Sequence, residues 1–61
     1  MKLTLSINMD NAAFEDIPGV EAARILRDAA NKVSDAQPDE LLEFRLSDAN
    51  GNKVGSVIVS D

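Results

Sequence analysis

Apolar and polar residues alternate strictly from Lys2 to Asn8, with Leu3, Leu5 and Ile7 on one side and Lys2, Thr4, Ser6 and Asn8 on the other. A period of two belongs to an extended chain with one buried face, so this segment predicts a first strand. Residues 9–17 keep neither period, and Asp10 and Asn11 are turn and cap formers, which predicts a loop with one helical turn at Asn11–Phe14. Phe14 and Ile17 are then expected to fold back and close the end of the core. The period changes at Pro18, a residue suited to the first turn of a helix because its missing N–H has no intrahelical partner there. From Pro18 to about Ser34, Ala22, Ile25, Leu26, Ala29 and Val33 follow i, i+3, i+4, i+7 spacing. Glu21, Arg24, Arg27, Asp28, Asn31 and Lys32 fill the other face, where Arg24–Asp28 and Asp28–Lys32 are spaced to pair. The pattern predicts a helix with a solvated charged side and an alanine-rich side that can approach a sheet closely.

Ser34 to Glu40 is polar and holds Pro38 with the acids Asp35, Asp39 and Glu40, so it reads as a connection. Leu42, Phe44 and Leu46 then alternate with Glu43, Arg45 and Ser47, predicting a second strand, and Lys53 to Ser60 predicts a third. Between them Asn50-Gly51 signals a two-residue type I′ hairpin turn, with both residues at positive φ. Such a turn sets Asp48 opposite Lys53, Leu46 opposite Gly55, Phe44 opposite Val57 and Leu42 opposite Val59, with every apolar pair on one face. Val54 and Ile58 fall on the opposite face of the third strand, and a strand apolar on both faces belongs in the middle of a sheet. The expected fold is therefore α+β: a βαββ chain whose three-stranded, mainly antiparallel sheet has the order 1-3-2, with one helix packed on one face. That helix is expected to pack through Ala22, Leu26, Ala29 and Val33 onto Leu3, Leu5, Phe44 and Val57.

Composition narrows what such a fold can do. Sixty-one residues make a single domain with a thin core, and bulk is scarce because eight of the apolar residues are alanine and only Phe14 and Phe44 are aromatic. Large pockets are not expected. The chain has no cysteine and no histidine, which removes disulfides, thiolate metal sites and the usual general base. Ser6, Ser34, Ser47, Ser56, Ser60 and Thr4 thus have no imidazole to activate them, and Lys2, Lys32 and Lys53 are expected to be exposed. The adjacent carboxylates Asp39 and Glu40 read as a solvated charge run rather than an acid–base pair. Asn8, Asp10, Asn11, Glu15 and Asp16 gather oxygen donors suited to a hard cation, although strand exit and helix capping use the same residue types. Asp48 to Asn52 resembles the start of a calcium loop, but its glycine comes two residues early and the hairpin turn accounts for it. No enzyme, metal or cofactor is expected.

Six Lys plus Arg face eleven Asp plus Glu, a formal net charge of −5, which opposes binding to a nucleic-acid polyanion. No stretch approaches the ~20 apolar residues of a membrane span, and the N-terminal run lacks the apolar core of a signal peptide, so a cytoplasmic location is expected. Two acidic groups stand out, Asp10, Glu15, Asp16 and Glu21 in one and Asp35, Asp39, Glu40 and Glu43 in the other. They read either as a surface for a basic partner or as solubilising charge. With one helix, one face of the sheet stays uncovered, and Val54, Ile58, Ser56, Thr4, Arg45 and Glu43 are its candidate partner surface.

Asp10-Asn11-Ala12-Ala13-Phe14-Glu15-Asp16, Pro18-Gly19, Ala23-Arg24-Ile25-Leu26-Arg27 and Asn50-Gly51-Asn52-Lys53-Val54-Gly55 together give the chain a resemblance to a family of small accessory proteins encoded by bacteriophages and prophages. The likeness spans most of the chain. It implies a phage setting and the host cytoplasm, and it carries over no catalytic residue or cofactor. Related chains often have a polar residue where this one has Ile17, so Asp16 is the expected helix cap instead. The expected function is that of an acidic, non-enzymatic protein that binds another protein, including an inhibitor of a host defence system; the alternative is a self-associating accessory module, such as a homodimer.

Overall fold

The computed structural model describes residues 1–37 and 41–61. Strand β1 (Lys2–Ile7) leads through a 3₁₀ turn (Ala12–Phe14) into helix α1 (Pro18–Ala36), and strands β2 (Leu42–Ser47) and β3 (Lys53–Ser60) follow as a hairpin. The sheet has the order β1-β3-β2, and both outer strands run antiparallel to β3. The α+β βαββ architecture expected from the periodicities is the one observed. Pro38, Asp39 and Glu40 lie outside the described residues, and with them the acidic pair expected at Asp39 and Glu40.

Register follows the apolar pattern. Leu3 pairs with Val59, Leu5 with Val57 and Ile7 with Gly55 on one side of β3, and Leu42, Phe44 and Leu46 meet Val59, Val57 and Gly55 on the other. All of these side chains point to the helix face, because a period of two keeps alternate residues on one side. Phe14, Ile25, Ala29, Leu46, Val54 and Val57 form the buried cluster, with Leu5, Ile7, Ala13, Ala22, Val33 and Phe44 packed around it. The 3₁₀ turn forms where the loop was expected to coil, capped by Asn11, whose Oδ1 accepts the Ala13 N–H at 3.0 Å. It drives Phe14 into the core, whereas Ile17, expected to join it, stays exposed.

Further expectations are corrected. The hairpin is not a two-residue type I′ turn: Gly51 takes φ 85°, but Asn50 does not share a positive φ. Instead the Gly51 N–H donates to the Asp48 carbonyl at 3.1 Å and the Asp48 N–H to the Asn52 carbonyl at 2.9 Å, closing a longer loop with one left-handed glycine. The extra loop residue is absorbed as a bulge. Ser47 faces Lys53 while Leu46 faces Gly55, so Asp48 does not oppose Lys53 and Val54 is left without a partner in β2. The bulge turns Val54 out of the alternation and into the core, where it is only 7% exposed.

The helix is also rotated from the expected packing. Ile25 and Ala29 are its buried centre, Ile25 at 1% exposure, while the adjacent Leu26 is 47% exposed. A helix turns 100° per residue, so a small rotation decides which of two neighbours is central, and here the packed arc runs from Ala22 through Ile25 and Ala29 to Val33 with Leu26 at its open margin. The helix runs two residues past Ser34 and ends on Gln37, which adopts a left-handed φ of 44° as its N–H bonds to the Val33 carbonyl. Its N-cap is Ile17, with no side-chain cap, so Asp16 does not fill that role.

Candidate protein-interaction surface

At one end of the sheet a polar knot ties three segments together. Asp48 is buried; its Oδ1 accepts the backbone N–H groups of Asn50 and Asn52, both at 2.9 Å, and its Oδ2 accepts the Asn11 side-chain amide at 2.6 Å. Glu21 is also buried; Oε1 accepts Arg24 Nε at 2.7 Å and Oε2 accepts the Ala49 N–H at 2.8 Å. The hairpin loop is thereby fastened to the 3₁₀ turn through Asn11 and to the helix through Glu21. The hydrogen bond from Arg24 and that from the Ala49 N–H hold the Glu21 carboxyl below its ordinary value, against burial and the nearby Asp48 charge. Burial pushes the Asp48 carboxyl up, but donors from Asn52, Asn11 and Asn50 outweigh it, and the net shift is downward. The Glu21 contact raises the Arg24 guanidinium further.

These contacts tie the hairpin loop, the 3₁₀ turn and the helix to one another. A carboxylate whose lone pairs are occupied and whose affinity for protons is lowered is a poor general base or acid near neutrality. Arg24 turns to Glu21 and, at 3.3 Å, to the Ser47 carbonyl, so the expected Arg24–Asp28 pair does not form, whereas Lys32 and Asp28 do pair at 3.4 Å. In the loop read as oxygen-rich, Asn8 Oδ1 accepts the Asp10 N–H and Asn11 Oδ1 accepts that of Ala13, the strand-exit and capping roles. Among the described residues no three Asp or Glu side chains gather as a metal site.

The uncovered face of the sheet gathers most of the expected partner residues in two rows. Thr4, Ile58 and Glu43 lie side by side across the three strands, and Ser6, Ser56 and Arg45 form the next row. Val54 is not among them, since the bulge buries it on the helix side. What remains is a mainly polar surface in which Ile58, at 40% exposure, lines a shallow cleft with the exposed Leu41 just before β2.

The larger apolar surface lies elsewhere. An α-helix is ~10 Å across and three strands at ~4.8 Å spacing span ~14 Å, so one helix covers about two strands. In this chain α1 lies closer to β2 than to β1, and its flank on the β1 side is open. Leu3, Leu5, Leu26, Ala29, Ala30, Val33 and Ser34 line the resulting cleft of about 400 Å³. Leu3 is 46% exposed, as much as Leu26, though both were assigned to the core from their spacing. The cleft lining contains no charged side chain.

Comparisons with protein-family models, curated proteins and solved structures found no match to this chain. No helix among the described residues is long and apolar enough to cross a membrane.

Proposed function

We propose that this protein is a small, acidic, non-enzymatic binding module that acts by occupying the surface of another protein, with the α1/β1 flank as its contact surface. The observation that carries the reading is the pairing of two half-exposed leucines, Leu3 and Leu26, around one uncharged cleft. Clustered exposed apolar side chains on a small domain mark contact surfaces more often than scattered ones do. The phage setting implied by the sequence resemblance makes a bacterial host protein, including a component of a defence system, the partner class to test. The net charge of −5 argues against nucleic acid as that partner.

The test is affinity capture from bacterial lysate, followed by calorimetric titration of the purified captured protein against three forms of the chain. Wild type and Ile58→Asp are expected to bind, and Leu26→Asp to lose binding. Binding that survives Leu26→Asp but not Ile58→Asp would move the contact surface to the open sheet face and overturn the assignment.

A further inference from the structure

We propose that in the free protein the α1/β1 flank is covered by a second copy of this chain, the two β1 edges pairing antiparallel about a twofold axis so that the apolar clefts adjoin along the seam, and that a protein partner displaces this copy. The proposal rests on the reading of that flank as the contact surface and names what covers it before the partner binds.

The two edges of the sheet differ in how they are protected. Exposed edge strands are commonly blunted by charges, proline or bulges that discourage pairing with another chain. At the β2 edge Glu43 and Arg45 alternate along the strand and the bulge disturbs its end. The β1 edge has regular register from Lys2 to Ile7, no proline, and Lys2 as its single charge. Antiparallel pairing of a strand with its own copy is symmetric, so one edge supplies both halves of the contact. Both copies keep Leu3 and Leu5 on the helix side of the joined sheet, beside Leu26, Ala30 and Val33 of each helix.

Charge points to the same flank. A chain of net charge −5 repels its copy over most approaches. On α1 the acids Glu21, Asp28 and Asp35 fall on the side away from β1, because the 100° step that sets Leu26, Ala30 and Val33 on one flank sets these on the other. Neither the cleft nor β1 carries an acid, so two copies meet there without apposing carboxylates. An uncharged apolar strip is complementary to itself.

The area suits a weak dimer. A flank as long as the 19-residue helix, ~28 Å, and as deep as the 17 Å cross-section has a flat footprint of about 480 Å². Specific interfaces begin near ~600 Å² per partner, and the ruffled accessible surface exceeds its flat projection. This places the contact at the low end, with dissociation expected at roughly 100 μM.

Equilibrium sedimentation of the full chain from about 10 μM to about 1 mM should show a monomer–dimer equilibrium. Raising salt from about 0.05 to about 0.5 M should tighten it several-fold, because screening removes the long-range repulsion. Leu26→Asp and Ala30→Glu should each weaken it ~10-fold or more by apposing like charges across the axis, while Ile58→Asp leaves it unchanged. Far-UV circular dichroism confirms that each variant is folded, and Ala30, already exposed, tests the flank without touching the core. The chain has no cysteine, so a single Thr4→Cys near the axis should be joined to its copy by a short thiol cross-linker, and Asp28→Cys on the far flank should not. A monomer at every concentration and salt overturns the proposal, as does a dimer indifferent to Leu26→Asp and Ala30→Glu. A monomer that still binds another protein through Leu26 would leave the flank as contact surface and remove only the second copy.

Discussion

Ile25 and Leu26 are neighbours of nearly equal size, and the structure assigns them opposite energetic roles. Replacing Ile25 by alanine removes three carbon atoms from a side chain that is 1% exposed. At ~0.8 kcal/mol per buried carbon the transfer loss is ~2.4 kcal/mol, and the unfilled cavity adds ~1–2 kcal/mol. Leu26→Ala removes the same number of carbons from a side chain already 47% exposed, and its flank opens to solvent, so about 1 kcal/mol is expected. A 61-residue domain has a total stability of roughly 3–9 kcal/mol, so Ile25→Ala stands near the limit of folding. Ile25→Val, expected to cost ~0.5–1.5 kcal/mol, keeps the comparison measurable. The chain has no tryptophan or tyrosine, so urea unfolding is followed by far-UV circular dichroism, at a protein concentration low enough to keep it monomeric. If Leu26→Ala cost as much as Ile25→Ala, the helix rotation described above would be wrong.

Other outcomes follow from the backbone and the polar knot. A Cβ at Gly55 would lie 1.9 Å from the Ser6 carbonyl oxygen and 3.1 Å from the Ile7 Cα, both backbone atoms, so Gly55→Ala should push β1 off β3. Loss of hydrogen-exchange protection along Lys2–Ile7 would register this, and unchanged protection would refute it. Because Gly51 alone in the hairpin loop has positive φ, Gly51→Ala should cost ~1–2 kcal/mol and Asn50→Ala much less; equal costs by urea unfolding would restore the two-residue turn. Glu21 and Asp48 bind protons less readily in the fold than at their ordinary values of 4.5 and 3.8. The unfolded chain therefore takes up protons first as pH falls. The stability these groups contribute is full above the ordinary carboxylate range and is lost as pH drops through the lowered folded values. The melting temperature should fall below about pH 4, and Glu21→Gln with Asp48→Asn should flatten that slope while lowering the melting temperature at pH 7. A slope unchanged in the double variant would place the acid-sensitive groups elsewhere.

What the sequence determined by itself is local or repeats locally. A strand declares itself by a period of two and a helix by a period of 3.6, so all four main elements were legible, with the helix end misplaced by two residues. The pairing of Leu42, Phe44 and Leu46 with Val59, Val57 and Gly55 was legible too, because a one-residue slip would expose every apolar side chain. The central place of β3 followed from its apolar content, although Val54, part of the reason for it, turned out to serve the core through a bulge rather than the open face. The tertiary structure decided the rest, and in each case the cause lies far away along the chain. Glu21 has the spacing of a solvated acid, and it is buried because the Ala49 N–H, 28 residues on, needs an acceptor. Val54 faces inward because the hairpin loop is one residue longer than Asn50-Gly51 suggested, and the loop is held in that form by Asp48 and Asn11. Leu26 and Leu3 have core spacing, but one helix has width for only two of three strands, so which leucines stay exposed depends on where the helix sits across the sheet.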